Sequence, residues 1–199
     1  MSSPLGLIVG IGNPGQQYAE TRHNAGVWFV EKLAAYYQEG FREEKKFFGS
    51  VSSINIHGRE LKILIPHAYM NESGKSVGAL VNFYKIPLTR ILIVHDELDL
   101  AAGVIRLKQG GGLAGHNGLK HISKCLSGSR EFKRLRIGVG RPDHGSDITA
   151  YVLGKPLASE KAKIDESIEL ALKVLSLMMN GDWQRAMTRL NSAPKEEKL

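Results

Sequence analysis

The sequence has a single cysteine, Cys125, among its 199 residues. One thiol excludes an intramolecular disulfide and any metal site that is built from several cysteines. Cys125 lies in the segment HISKCL, whose pattern is typical of an amphipathic helix. We therefore expect a buried structural thiol at this position and no cysteine nucleophile.

Long apolar runs are missing as well. No stretch approaches the roughly 18 to 20 consecutive apolar residues that a membrane-spanning helix needs. The N-terminal MSSPLGLIVGIG also lacks the basic region followed by an apolar region that marks a secretory signal. We therefore expect a cytoplasmic protein that does not contact a membrane.

Acidic residues are scarce between residues 104 and 141. This basic segment contains nine Lys or Arg and one acid, Glu131, in a chain whose formal net charge is +7. Such a concentration of positive charge favours a surface that binds a polyanion. Charge alone is equally compatible with an ordinary solvated surface.

Alternating strands and helices are predicted along the chain. LGLIVGIG (5–12) and RILIVHDELD (90–99) are nearly continuous apolar runs, typical of strands buried on both faces. Two further runs flank a predicted hairpin turn at 57–58, and helical spacing appears at 25–37, 73–85 and 159–179. These patterns predict one domain over residues 1–199, with a tail at about 193–199 that we expect to be frayed. Its fold class is α/β: a three-layer sandwich with a twisted, mixed, mostly parallel sheet and helices on both faces.

Two glycine patterns suggest nucleotide binding, and both fail on their context. Gly10, Gly12 and Gly15 match G-x-G-x-x-G, but a polar run separates them from the next helix, and no acid closes a second strand about 20 residues later. SGKS (73–76) resembles part of a P-loop, yet Tyr69 stands where that motif needs its first glycine. The seven histidines show no metal-binding spacing either. We therefore expect no metal and no other cofactor.

Polar side chains follow the predicted strands. Asn13, Met70 with Asn71, Asp96, and His116 with Asn117 each come after an apolar run. If these strands are parallel, their carboxyl ends meet at one edge of the sheet and bring the side chains together. A histidine oriented by a carboxylate can activate water, and amides can donate to an oxyanion. The set suits direct attack of water on an activated ester, although spacing does not identify which histidine is the base.

Five blocks occur in order along the chain: GIGNPGQQYAETRHNAG, PHAYMNESG, VHDELDL, KQGGGLAGHNGLK and FKRLRIGVGRP. Together they closely resemble the bacterial peptidyl-tRNA hydrolase family, over residues 5 to 153. The resemblance implies a monomeric, single-domain α/β enzyme without a cofactor. Such an enzyme cleaves the ester that joins a peptide to the terminal ribose of tRNA, and so recycles tRNA from stalled translation.

The resemblance also implies roles for individual residues. His23 would be the general base, Asp96 would orient it, and Asn13 would position the water or the substrate carbonyl. Met70, Asn71 and Asn117 would hold the peptide and the ester end. Tyr18 would contact the region of the terminal nucleotide, and His116 would be a further substrate-binding residue. Lys108 and Arg136 would bind tRNA phosphates. The oxyanion donor stays open between Asn13, Asn71 and a backbone amide. In the loop before GHNG, Ala114 replaces a more usual glycine, which restricts φ there.

Two other functions compete with the esterase. The basic segment by itself is also compatible with an RNA-binding protein that has no catalytic activity, but such a protein has no need of His23 and Asp96. An enzyme of the nucleoside phosphorylase type on a similar sheet would require phosphate and would act on free nucleosides. Hydrolysis of an N-blocked aminoacyl-tRNA separates the esterase from both alternatives.

Overall fold

The computed structural model describes residues 3–192, so the tail predicted at 193–199 lies outside the described residues. Within this range the chain forms seven strands and six helices. The strands are β1 (Leu7–Gly10), β2 (Arg42–Glu44), β3 (Gly49–Ile56), β4 (Arg59–Pro66), β5 (Ile91–Glu97), β6 (Ile105–Gln109) and β7 (Lys133–Gly138). The helices are α1 (Ala25–Tyr36), α2 (Gly74–Tyr84), α3 (Asn117–Cys125), α4 (Ile148–Val152), α5 (Ala158–Met179) and α6 (Trp183–Asn191). None of these helices has the length and apolar character that crossing a membrane requires.

All seven strands belong to one sheet, in the order β2-β3-β4-β1-β5-β7-β6. β1 pairs in parallel with β4 and β5, and β5 pairs in parallel with β7. β3 and β6 run against their neighbours, so five of the seven strands point the same way. The predicted mixed, mostly parallel sheet is confirmed.

Helices cover both faces of the sheet, as predicted. On one face α1, α5 and α6 enclose a core with side chains such as Phe29, Ile168 and Trp183. On the other face α2 and α3 pack Leu80 and Ile122 against the sheet. The central strands β1 and β5 are buried along their whole length, which explains their continuous apolar sequence.

The direction of β6 differs from the expectation. β6 is antiparallel to β7, with Gln109 opposite Lys133 at the amino end of β7. Only residues 98–104 separate β5 from β6, too few for the crossover that returns a chain to the opposite edge of a sheet. His116 and Asn117 therefore do not follow a parallel strand, and a loop across the sheet carries them to the site instead.

The environment of the cysteine also differs from the expectation. Cys125 is exposed at the end of α3 rather than buried. Its Sγ atom lies 3.9 Å from the ring nitrogens of His121, one helical turn earlier. The apolar face of α3 that packs on the sheet is formed by Leu119 and Ile122, so the prediction of a buried structural thiol was wrong.

Helix α1 begins in direct contact with the sheet because two glycines face each other there. A Cβ atom at Gly26 would overlap the carbonyl oxygen of Val94 and would lie 2.7 Å from that of Ile11. A Cβ at Gly10 would likewise overlap the carbonyl oxygen of Gly26. This close approach places the short helical turn Arg22–Asn24, which precedes α1, above the ends of β1 and β5.

We expect Gly26→Ala to destabilise the protein by at least about 2 kcal/mol, because the added methyl group must push α1 away from two strands. Urea unfolding followed by circular dichroism measures the change. Gly40→Ala is the matched control, since a Cβ at Gly40 meets nothing within 4 Å and should stay within about 0.5 kcal/mol of wild type. Equal stability of the two variants would contradict the close-packing argument.

Candidate active site

A cleft of about 530 Å³ opens at the carboxyl ends of β1, β4 and β5. The sequence proposed ten residues for the site, and eight of them line this cleft: Asn13, Tyr18, His23, Met70, Asn71, Asp96, His116 and Asn117. Lys108 and Arg136 are not among the residues of the range 3–192 that line the cleft. The cleft therefore unites the expected catalytic and peptide-binding groups and leaves the two basic groups outside it.

The Asp96 carboxylate lies at the centre of the cleft's polar groups. Its two oxygens are each 3.0 Å from Nδ1 of His23, and Oδ1 is also 3.0 Å from Nε2 of His116. The side chain is only 2% exposed. Burial by itself opposes ionisation, but the charges and hydrogen bonds of the two histidines outweigh it and hold the pKa of Asp96 below its usual range. Asp96 is thus a carboxylate at any pH at which the protein works.

Hydrogen bonds assign the tautomers of both histidines. His116 is the N-cap of α3, and its Nδ1 accepts the N–H of Leu119 at 3.4 Å. Its proton therefore lies on Nε2, which donates to Asp96. An ionised carboxylate only accepts, so His23 also donates to Asp96 through Nδ1–H. Nε2 of His23 is the ring nitrogen left for a molecule in the cleft.

The same three side chains have the composition of a metal site, since their donor atoms lie within 4.8 Å of one another. A metal ion would need a lone pair on Nε2 of His116. That atom carries the proton, because Nδ1 accepts from the backbone of α3. The arrangement fits two histidines that share one carboxylate better than it fits a resident metal.

Asn13 is held so that its amide nitrogen is the group available to a ligand. Its Oδ1 accepts the N–H of Met70 at 2.8 Å, which identifies the other side-chain atom as Nδ2. The backbone of Asn13 is fixed in turn by the side chain of Asn24: Asn13 N–H donates to Oδ1 at 2.9 Å, and Nδ2 donates to the Asn13 carbonyl at 3.0 Å. Asn13 therefore presents hydrogen-bond donors to the cleft.

Arg22 connects the segment that carries His23 to the far end of the chain. Its guanidinium donates to Glu160 at 2.8 Å and to the carbonyl of Lys155 at 2.9 Å, and it stacks 4.1 Å from the ring centroid of Tyr151. Sequence reasoning did not assign a role to Arg22 or Asn24. The only signal was their place in the block TRHN, because the partners of Arg22 lie more than 125 residues away.

Positive charges face one another across the β6–β7 pair. Arg106 lies directly opposite Arg136, and Lys108 lies directly opposite Arg134. Like charges in this position destabilise a sheet, so a polyanion that neutralises them would bind favourably. Arg136 is oriented by Glu97, whose Oε2 accepts from Nε at 2.8 Å.

β7 is buried at every residue except the partly exposed Arg136. Lys133, on the face opposite Arg134 and Arg136, is only 1% exposed and lies 5.2 Å from the Trp183 ring centroid. The basic residues of β7 therefore do not all contribute to one solvent-facing surface.

Comparison with known proteins gives a consistent result. The family model for peptidyl-tRNA hydrolase matches residues 7–198. The chain is 49% identical to the peptidyl-tRNA hydrolase of Pectobacterium atrosepticum over 96% of this chain and 97% of the relative. It is 51% identical to that of Edwardsiella ictaluri, over 93% and 94% of the two chains. The crystal structure of peptidyl-tRNA hydrolase from Acinetobacter baumannii superposes with a TM-score of 0.93 at 45% identity, covering 98% of each chain.

His95 lies beneath the cleft and is completely enclosed. It is 1% exposed, its Nδ1–H donates to the carbonyl of Asp96 at 2.6 Å, and its ring packs edge-on against His116 with centroids 5.0 Å apart. Its Nε2 has no hydrogen-bond partner within the described part of the chain. Burial lowers the pKa of His95 to about 3, and the nearby His116 acts in the same direction. His95 is therefore neutral in the folded protein.

We expect His95 to make the protein less stable in acid. Below a pH of about 6.5, His95 binds a proton in the unfolded chain but not in the folded chain. The free energy of unfolding therefore falls by about 1.4 kcal/mol per pH unit towards pH 3. Replacing His95 with Gln should remove about 2 kcal/mol of the loss between pH 6.5 and pH 5, measured by urea unfolding at both values. His57→Asn, in the exposed β3–β4 turn, serves as the control and should keep the wild-type slope. A wild-type slope in His95→Gln would contradict the assignment.

Proposed function

The chain belongs to the peptidyl-tRNA hydrolase family and hydrolyses peptidyl-tRNA, and we propose that His23 activates the water that attacks the ester between peptide and terminal ribose. The observation that carries the proposal is the position of His23 between Asp96 and the cleft. Its Nδ1–H is engaged by the buried Asp96 carboxylate, and the ring lines the cleft. This is the arrangement that a general base requires.

His23, Asp96 and one water molecule account for every bond and proton in the proposed reaction. Nε2 of His23 takes a proton from water while the water oxygen bonds to the ester carbon. Asp96 stabilises the imidazolium that forms, because its negative charge lies 3.0 Å from Nδ1. The tetrahedral intermediate then breaks its bond to the ribose oxygen, which leaves with the proton from His23. No metal and no covalent intermediate takes part in this scheme.

Asn13 is the side chain best suited to stabilise the oxyanion. The sequence left this role open between Asn13, Asn71 and a backbone amide. Because Oδ1 of Asn13 accepts from Met70, the group it offers the cleft is the donor Nδ2–H₂, which can bind a carbonyl oxygen as negative charge develops. Asn71 and Asn117 also line the cleft, and we assign them to the peptide, as the family resemblance implies.

The tRNA body would bind beside the cleft. Tyr18 and Tyr69 form an edge-to-face pair with ring centroids 6.4 Å apart at its mouth, a surface on which a terminal base can stack. Lys108 and Arg136 lie on β6 and β7 outside the cleft, where they would contact phosphates. The separation of the cleft from the basic side chains on β6 and β7 supports one substrate: its ester end enters the cleft, and its phosphate backbone follows these two strands.

We further propose that the enzyme acts as a monomer in the cytoplasm, where translation supplies its substrate. All the cleft-lining groups named above come from one chain. The scheme therefore needs no side chain from a second copy.

We expect His23→Ala to lower single-turnover hydrolysis of an N-acetyl-aminoacyl-tRNA by at least about 10²-fold, because general-base catalysis contributes about 10²- to 10⁴-fold. Binding of uncharged tRNA should be nearly unchanged. The assay contains EDTA, and an aminoacyl-tRNA with a free amine is the control substrate. His57→Asn, at the opposite edge of the sheet, is the control variant. Activity within about threefold of wild type in His23→Ala would remove His23 from the mechanism, and tRNA binding without cleavage by wild type would favour the non-catalytic RNA-binding protein.

We expect Lys108→Ala and Arg136→Ala mainly to weaken tRNA binding and to reduce the slope of log K against log salt by about one each, because each would lose one phosphate contact. Filter binding or anisotropy at several salt concentrations measures the slope. Lys173→Ala, an exposed position on α5 at the other face of the sheet, removes the same charge and should leave the slope unchanged. A fall in kcat with unaltered binding would assign these residues to the chemical step instead.

A further inference from the structure

The loop of residues 110–116 (the glycine loop) brings two cleft residues into place from the far side of the sheet. It leaves the end of β6, packs Leu113 into the core beneath α2 and α3, and ends at His116, directly before Asn117. Gly110, Gly111, Ala114 and Gly115 all have positive φ, at 64°, 81°, 48° and 77°. Its one buried apolar side chain is that of Leu113. A loop with so few apolar contacts needs other interactions to adopt one conformation.

Arg134 supplies such interactions from below. Its side chain in β7 is buried, with the residue only 2% exposed. Nη1 donates to the carbonyl of Gly112 at 2.9 Å, and Nη2 donates to the carbonyl of Gly110. One guanidinium thus binds the backbone on both sides of Gly111.

The burial of the Arg134 guanidinium is unfavourable for folding. Among the described residues no carboxylate forms an ion pair with Arg134, and its Nε is buried without a hydrogen-bond partner. Its strand neighbours are Ile93 on β5 and the like-charged Lys108 on β6. Burial lowers the pKa of Arg134, and the negative charge of Glu97 opposes that shift only in part. A buried charge without an ion-pair partner is unfavourable relative to an apolar side chain, so stability alone does not account for its presence.

The glycine loop also lies on Lys108. A Cβ atom at Gly111 would be 3.0 Å from Cε and 3.3 Å from Nζ of Lys108, and 3.8 Å from Nη2 of Arg134. The backbone at Gly111 therefore lies against both cations that face each other across β6 and β7. The same few residues contact the proposed phosphate-binding lysine at one end and carry His116 and Asn117 at the other.

We propose that Arg134 is a positioning residue of the hydrolase, which fixes the glycine loop through the Gly110 and Gly112 carbonyls so that His116 reaches Asp96 and Asn117 faces the cleft. Arg134 contacts neither the substrate nor the reacting atoms. Its effect on the rate rests on the proposed function, whereas its hold on the loop does not.

Lys133 provides a matched control on the same strand. It too is a buried cation, 1% exposed, and its Nζ donates to a backbone carbonyl, that of Thr89. It lies on the opposite face of the sheet and does not contact the glycine loop. A purely structural role for Arg134 predicts that Arg134→Met and Lys133→Met have the same consequences.

The experiment is amide hydrogen exchange, read by mass spectrometry, on the substrate-free full-length protein. We expect Arg134→Met to speed exchange at residues 110–117 by at least about tenfold while β1 and β5 stay protected. Lys133→Met should leave the loop at the wild-type rate. Arg134→Lys, which keeps the charge but reaches one carbonyl at most, should give an intermediate rate and remains available if Arg134→Met does not fold.

Kinetics on N-acetyl-aminoacyl-tRNA complete the test. We expect Arg134→Met to lower kcat by about 10- to 100-fold with KM within about threefold of wild type, and Arg134→Lys to recover part of kcat. Wild-type exchange of the loop in the Arg134 variants, equal loosening by Lys133→Met, or a loosened loop with unchanged kcat would each overturn the proposal. Failure of the proposed function is distinguishable, since it would appear as an absence of wild-type hydrolysis and would leave the exchange measurement intact.

Discussion

The site depends on one buried carboxylate that two histidines share. Asp96 is ionised inside the protein because His23 and His116 both donate to it, and each histidine has a defined tautomer because Asp96 accepts. Removing either histidine leaves the buried Asp96 with one partner fewer, and removing Asp96 leaves both histidines without theirs, which is why the surrounding structure must position all three closely. The sheet, the turn before α1 and the glycine loop each supply one member of this set.

The fold brings these members together by close backbone contact. β5 ends at Asp96 and Glu97, between β1 and β7, so the carboxylate is enclosed on both sides. Gly26 allows α1 to touch the end of β1 and the middle of β5, and the turn before α1 then holds His23 within hydrogen-bond distance of Asp96. His116 arrives from the other direction as the N-cap of α3. Three separate elements therefore meet within a few ångströms.

The charges of the protein are arranged for function more than for stability. Like charges face each other across β6 and β7, Arg134 is buried with no ion-pair partner among the described residues, and His95 is enclosed in its neutral form. Each of these features lowers the free energy of unfolding relative to an apolar alternative. All of them lie within or beside the cleft and its basic strands, while the faces covered by α1, α2 and α5 have ordinary apolar cores.

The sequence by itself determined the elements, the α/β class and the blocks that carry the family, because hydrophobic periodicity and motif spacing are local properties of the chain. It brought Asn13, His23 and Asp96 into one hypothesis. It did not reveal that β6 runs antiparallel, that Cys125 is exposed, or that His116 bonds to Asp96. Nor did it indicate that Arg22 reaches Glu160 or that Arg134 binds Gly110 and Gly112. Those facts depend on which distant segments come into contact, and a local pattern shows that a side chain is buried without showing what it is buried against.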